Sequence, residues 1–256
     1  MIAAARTQAR PNIAWAIAFA WLLALAAEIT GRGRLLHHDQ LIQGGLPRPA
    51  ALLLFLLAWQ AMIAAMMLPS SLPMIRLFDR AAVAQPRAGL ARAAFAGAYV
   101  VAWTAFGAVA FLFDLGVHAA VTRSPWLYTH AYLISGNTLL LAGAFQFSPL
   151  KEACLRQCRN PGAFLLRYYR RGVDAAFATG LRHGAFCLGC CWALMLVAFA
   201  AGVANLAWMA ALTVLMTVEK RARFGPLVAQ VGGIAMLVAG AVIVLRPLFS
   251  IVQAPG

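Results

Sequence analysis

Charged residues are scarce in this sequence, and acidic residues are the scarcest among them. Only 11% of the 256 residues are Asp, Glu, Lys or Arg, whereas 63% are apolar. A soluble globular domain has about 25% charged residues, so this composition excludes that class. The mean hydropathy of +0.80 is typical of a chain that lies mostly in a lipid bilayer. We therefore expect one integral membrane domain over residues 1–256.

The shortage of acidic residues leaves the chain strongly basic, with 21 Lys and Arg against 7 Asp and Glu. In a soluble protein, such an excess would indicate nucleic acid binding. Here the basic residues lie in the short segments between apolar runs, next to the lipid headgroups of a membrane. We therefore predict the bilayer and its anionic headgroups as partners, and no nucleic acid.

Seven apolar runs account for most of the chain. They lie near residues 13–29, 50–75, 93–113, 131–149, 184–202, 205–218 and 228–249. Because a helix needs about 20 residues to cross a bilayer, we predict an all-α, polytopic bundle of about seven transmembrane helices. Lys and Arg concentrate in alternate connecting segments, beginning with the first. By the positive-inside rule, this predicts a cytoplasmic N-terminus and, with seven spans, a C-terminus on the opposite side.

The connecting segment between the fourth and fifth runs is long and mixes aromatic with basic residues. In "AFLLRYYRRGVDAAFATGLR", residues 163–182, Phe, Leu and Tyr are interspersed with Arg167, Arg170, Arg171 and Arg182. This mixture is typical of an amphipathic helix that lies on anionic headgroups. We therefore predict an interfacial helix between spans four and five.

The sequence has only five cysteines, and the predicted topology brings all of them to one membrane face. Cys154 and Cys158 follow the fourth run, whereas Cys187, Cys190 and Cys191 open the fifth. This face is cytoplasmic in the predicted topology, where thiols stay reduced, so structural disulfides are not expected. No Cys-x-x-Cys-His motif occurs, which argues against a c-type haem.

Helical spacing brings several of these side chains onto shared faces. Cys154 and Cys158 are four residues apart, and so are His183 and Cys187. Two antiparallel helix ends would then present soft ligands to one point, which suits tetrahedral zinc(II) or copper(I) of lower coordination number. The Cys-x-x-Cys spacing also fits dithiol exchange, and inert packing is the remaining alternative. The candidate metal ligands are Cys154, Cys158, His183, Cys187, Cys190 and Cys191.

Weaker candidates for the metal site lie elsewhere in the chain. Met62, Met66 and Met67 have thioethers that favour copper(I), although methionine is also a common packing residue. Glu219 is a candidate partner of a metal ligand, and the competing interpretation is an interfacial ion pair. We expect its neighbour Lys220 to be a positively charged anchor at the inner face of the membrane.

Four stretches of the sequence resemble the signatures of a known family. They are "WQAMIAAMMLPSSLPM", "QFSPLKEACLRQCRNPGAF", "GLRHGAFCLGCCWALM" and "VEK". Over roughly residues 55–245 the chain resembles a bacterial family of unknown function, described as predicted metal-binding integral membrane proteins. The resemblance implies a membrane protein with a metal site at the six Cys and His positions. The further motif residues that it implies are Met66, Met67, Pro69, Lys151 and Glu219.

Together these features predict a multi-pass protein of the bacterial inner membrane. We expect it to bind a soft transition metal, copper(I) first and zinc(II) second, at a cytoplasm-facing Cys and His site. It would act in metal trafficking or metalloprotein assembly, with a metallochaperone or client metalloprotein as partner, so no catalytic residue is assigned. The alternatives are a membrane thiol-disulfide oxidoreductase and a non-catalytic subunit of a membrane complex.

Overall fold

The computed structural model describes residues 11–31, 45–201 and 205–252, and every regular element in this part of the chain is an α-helix. The predicted all-α class is therefore confirmed. The described helices are α1 (Pro11–Ile29), α2 (Arg48–Ala82), α3 (Ala88–Arg123), α4 (Pro125–Thr129), α5 (Tyr132–Phe145), α6 (Pro149–Arg159), α7 (Pro161–Tyr168), α8 (Val173–Ala200), α9 (Leu206–Arg221) and α10 (Gly225–Val252).

Within the described part of the chain, four helices are long and apolar enough to cross a membrane. They are α2, α3, α8 and the Gly225–Arg246 part of α10, with 35, 36, 28 and 22 residues. Helix α5 and the Ile13–Ile29 part of α1 are apolar but shorter. Each of the seven apolar runs falls on a helix, but a total of seven membrane spans and the orientation of the termini stay predictions.

Helix α8 packs along the length of α3 and also contacts α5, α6 and α9. Helix α2 packs against α1, α3 and α9, and α10 packs along α5. Between α2 and α3, the fully buried Trp59 donates a hydrogen bond of 3.0 Å from Nε1 to Trp103 O. This bond satisfies an N–H group that would be costly to leave unpaired in an apolar interior.

The outward-facing side chains of the bundle are also apolar. Helix α10 exposes Val231, Ile234, Val238 and Val242, which recur every three or four residues and therefore line one face. Soluble monomers rarely expose large contiguous apolar patches. A helix that is apolar on both its packed and its open faces is typical of a membrane span.

Helix α2 continues through two prolines, and the first of them creates an attachment point for α1. Pro69 has no N–H to donate to Ala65 O, one turn earlier. Trp21 of α1 donates to this carbonyl oxygen instead, with Nε1 at 3.2 Å. The proline therefore provides a backbone acceptor that joins α1 to α2.

The segment predicted as one interfacial helix is divided between two helices. Its first residues end α7, and its last ones form the first turns of α8. Gly172 separates the two helices with a φ of 112°, a left-handed conformation that other residues rarely adopt. The single continuous helix is therefore wrong, and an interfacial position for either part stays a prediction.

Candidate metal site

Three of the five cysteines lie near the middle of α8. The helix begins at Val173, earlier than the predicted span, so Cys187 is about 20 Å from its first residue at a rise of 1.5 Å per residue. Cys187, Cys190 and Cys191 are each at most 1% exposed. The expectation that they open this helix is therefore wrong, because the polar residues before them continue the same helix.

Cys158 of α6 and Cys190 of α8 bring the two cysteine-containing stretches together. Their Sγ atoms are 4.0 Å apart, and both are free thiols. Hydrogen bonding with the thiols of Cys187 and Cys190, together with burial, raises the pKa of the Cys158 thiol well above its usual range. A metal ion would displace the proton of this thiol, because thiolates are the metal ligands.

A second pair of soft side chains joins α8 to α2. Cys191 Sγ lies 3.7 Å from Met67 Sδ, and both residues are almost completely buried. The other predicted methionines, Met62 and Met66, are buried in the same apolar core. Among the three methionines, a described contact therefore brings Met67 to a thiol, whereas a metal-binding role for Met62 and Met66 stays a prediction.

Cys187 lies among polar groups for which the sequence predicted no contact with a thiol. Its Sγ atom is 3.3 Å from Tyr99 OH and 3.9 Å from Ser71 Oγ. Lys220 donates to the same sulfur from Nζ at 3.3 Å. These residues lie on α2, α3 and α9, so no spacing in the sequence connects them with Cys187.

Lys220 is not the membrane anchor that the sequence predicted. It is only 6% exposed, and its ammonium group points into the bundle, where it also donates to Ser70 Oγ at 3.1 Å. The positive-inside rule counts basic residues near the ends of helices, and it does not distinguish a lysine that faces lipid from one that faces protein.

Cys154 lies where α6 makes a close approach to α8. A Cβ atom at Gly189 would lie only 2.6 Å from Cys154 Sγ, so glycine leaves room for the present position of this thiol. Burial raises the pKa of the Cys154 thiol, and the neighbouring Cys190 raises it further. No described hydrogen bond joins Cys154 to another sulfur.

His183 is buried among aromatic rings, one helical turn before Cys187. The imidazole stacks with Tyr99 at a centroid distance of 5.4 Å and with Phe95 at 6.0 Å, and His183 is 3% exposed. Its Nε2 atom has no hydrogen-bond partner among the described residues. A buried ring nitrogen without a partner has a donor or acceptor capacity that a ligand can satisfy.

Glu219 forms an ion pair, the interpretation that competes with a role beside a metal ligand. Its carboxylate accepts from Lys151 Nζ at 2.8 Å and from Gln146 Nε2 at 3.2 Å. Arg159 donates to the main-chain oxygen of Glu219 at 2.6 Å. The pair is buried rather than interfacial, and it attaches α6, the helix of Cys158, to the end of α9.

The soft side chains form pairs rather than one tetrahedral set. Within residues 11–31, 45–201 and 205–252, no three His, Cys, Asp or Glu side chains are grouped closely enough to hold one metal ion. The predicted convergence of four ligands on one point is therefore not observed. Two or three soft ligands suit copper(I), whereas structural zinc(II) almost always takes four.

Comparison with known proteins identifies a family. The model of the PpoB2 family, described as a copper chaperone, matches residues 56–243. This range includes both cysteine-containing stretches and Lys220. No curated protein and no solved structure matches the chain.

Proposed function

The chain belongs to the PpoB2 family of copper chaperones, and from this premise we propose that it binds copper(I) and transfers it to another protein. The observation that supports the proposal best is the 4.0 Å separation of Cys158 Sγ and Cys190 Sγ. Two metal–sulfur bonds of about 2.3 Å span at most about 4.6 Å, so one ion fits between these sulfurs with little movement.

Copper(I) fits this pair better than zinc(II) does. Thiolates are soft ligands that favour copper(I), which accepts low coordination numbers. Zinc(II) would require two further ligands at the same point, and the described residues do not offer such a group. Copper(I) is therefore the first candidate and zinc(II) the second, as the sequence predicted.

A chaperone must also release its metal, and the second soft pair provides a weaker neighbouring site. Cys191 follows Cys190 directly and contacts Met67, so a copper ion at the first pair would lie close to another thiol and a thioether. Exchange between adjacent soft ligands would let the ion leave without passing through a state with no ligand. His183, Cys154 and Cys187 are proposed as accessory ligands in this exchange.

The protein would perform this transfer as a multi-pass protein of the bacterial inner membrane. Four helices of sufficient length and their exposed apolar faces support a bilayer location. We retain the predicted cytoplasmic N-terminus, the anionic headgroups as lipid partner and the cytoplasmic orientation of the site. The protein partner would be a metallochaperone or a client metalloprotein.

Copper binding by the full chain in detergent micelles tests the proposal. We expect the wild-type protein to retain copper(I) against a chromophoric chelator under reducing, anaerobic conditions. Cys158→Ser and Cys190→Ser should each lose this copper. A variant with all five cysteines changed to serine gives the background copper content. Equal copper content in the wild type and the five-serine variant would overturn the proposal.

The short distance between the same two thiols also supports a second function, that of a membrane thiol-disulfide oxidoreductase. Cys158 and Cys190 would form a disulfide and pass two electrons and two protons to a quinone or to the disulfide of a soluble carrier. Thiol trapping in cells under oxidising and reducing conditions tests this alternative. Unchanged labelling of both cysteines would remove it and leave copper binding unaffected.

A further inference from the structure

The ammonium group of Lys220 lies buried beside the thiols, and no carboxylate of the described residues is paired with it. Its described partners are Ser70 Oγ at 3.1 Å and Cys187 Sγ at 3.3 Å. The adjacent carboxylate, Glu219, is engaged by Lys151. A buried charge is costly unless an opposite charge lies close to it, so the surroundings of Lys220 require an anion.

The thiol cluster becomes anionic beside this ammonium group once a metal has displaced thiol protons. Cys187 contacts Lys220 directly, and its carbonyl oxygen accepts hydrogen bonds from the Sγ atoms of Cys190 at 3.0 Å and Cys191 at 2.8 Å. Cys190 in turn lies 4.0 Å from Cys158. Lys220 is therefore close to the proposed copper pair without being one of its ligands.

We propose that Lys220 determines which metal this site prefers by supplying one positive charge that balances a copper(I) dithiolate. The inference rests on the proposed copper site at Cys158 and Cys190. Two thiolates with copper(I) carry a net charge of minus one, and the ammonium group makes the assembly neutral. Two thiolates with zinc(II) are already neutral, so the ammonium group would leave an uncompensated positive charge in a buried site.

The effect of this one charge on metal affinity is large enough to select between copper(I) and zinc(II). At an effective dielectric constant of about 20, a unit charge several ångströms away changes an affinity by roughly tenfold to a hundredfold. The effect is stronger in a bundle surrounded by lipid than at a protein surface, because water does not screen it. Lys220 would therefore favour copper(I) and disfavour zinc(II) with the same pair of thiolates.

The test compares copper(I) and zinc(II) affinities of the full chain by competition with a chelator for each metal. Lys220→Gln removes the charge and keeps a group that can hydrogen bond to Ser70, and Lys220→Met removes both. We expect each variant to bind copper(I) at least about tenfold more weakly while its zinc(II) affinity stays equal or rises. Lys220→Arg, which keeps the charge, should keep the preference for copper(I).

Arg221→Met is the matched control, because this exposed neighbour loses the same charge at the protein surface. Equal changes in both affinities for the Lys220 variants, or no change, would overturn the inference. So would a control variant with the same shift in preference. If neither neutral variant folds, the Lys220→Arg protein decides, because it retains the charge. Loss of the preference for copper(I) in this protein would overturn the inference, and an unchanged preference would support it.

The same measurements separate this inference from the proposed function. A wild-type protein that binds no copper(I) contradicts the copper site itself. A wild-type protein that binds copper(I) at Cys158 and Cys190, together with neutral variants of unchanged preference, contradicts only the role of Lys220.

Discussion

Lys151 of α6 and Glu219 of α9 form an ion pair of 2.8 Å in which both side chains are only 2% exposed. The residue after Glu219 is Lys220, whose ammonium group contacts Cys187 on α8. Two consecutive residues at the end of α9 therefore contact both helices that provide the paired thiols. The position of Cys158 relative to Cys190 depends on this end of α9.

Lys151→Met should strongly destabilise the protein, because it leaves the Glu219 carboxylate buried without its cation. We expect the free energy of unfolding to fall by about 3–5 kcal/mol, measured by denaturant titration in mixed micelles. A double variant, Lys151→Met with Glu219→Leu, should recover much of this loss, since it buries no unpaired charge.

The control is Glu152→Gln, which breaks a pair of 3.8 Å on α6 with side chains 68% and 72% exposed. It should cost about 0–1 kcal/mol, and equal costs for both single changes would contradict the prediction.

Gly189→Ala should disturb the contact between α6 and α8. The added Cβ atom would lie 2.6 Å from Cys154 Sγ, so either this thiol turns away or α6 shifts. Overpacking of this kind costs about 1–3 kcal/mol of unfolding free energy, and we expect weaker copper(I) binding because the thiols of α6 move relative to Cys190. Gly162→Ala on α7 is the control, because nothing lies within 4 Å of its added Cβ atom. Unchanged copper affinity in a folded Gly189→Ala protein would show that the approach of α6 is not needed.

The main features of the bundle could be predicted from the sequence because the hydropathy of a helix is an average over many residues. The apolar runs predicted seven of the ten described helices. The hairpin order of the two cysteine-containing stretches predicted that they meet, and the contact between Cys158 and Cys190 shows this. The start of α8 could not be predicted in the same way. Asp174 and Arg182 are polar enough to indicate a loop or interface, yet the structure continues the helix through them.

The partners within the site could not be predicted because they depend on which way individual side chains point. Lys220 and Glu219 are adjacent in the sequence, yet one faces Cys187 and the other Lys151. Tyr99 is one of several aromatic residues on an apolar helix, and nothing in its spacing indicates a contact with a thiol. Such contacts depend on the rotation of each helix about its own axis. Composition and periodicity limit this rotation but do not determine it.

Trp21→Phe should weaken the attachment of α1 to α2. The change removes the side-chain donor to Ala65 O, which Pro69 has left without its usual helical N–H partner. We expect a loss of about 0.5–1.5 kcal/mol in unfolding free energy. In a Pro69→Ala background the alanine N–H can bond to this oxygen, so the same tryptophan change should cost less. Trp15→Phe is the control, because this side chain is 71% exposed, and it should change the unfolding free energy little. If the effects of Trp21→Phe and Pro69→Ala are additive, the two residues are not coupled through Ala65 O and the prediction is contradicted.

Met67→Leu should reduce copper(I) retention without unfolding the protein. Leucine fills a similar volume, so the cost in unfolding free energy should stay below about 1.5 kcal/mol. It removes the thioether that lies 3.7 Å from Cys191 Sγ, and the copper(I) affinity should fall by about tenfold if this sulfur takes part in the site. Met216→Leu is the matched control, because Met216 is equally buried and has no described sulfur contact.

The two methionine variants separate a ligand from a packing residue because they change core volume alike and differ in the thiol contact. Chelator competition gives the affinity, and X-ray absorption at the copper edge gives the number of sulfur neighbours. A loss of affinity in Met67→Leu alone, with one sulfur fewer around copper, supports a thioether ligand beside Cys191. Equal affinities in both variants would show that Met67 only packs, and the copper site would then depend on the thiols of Cys158 and Cys190.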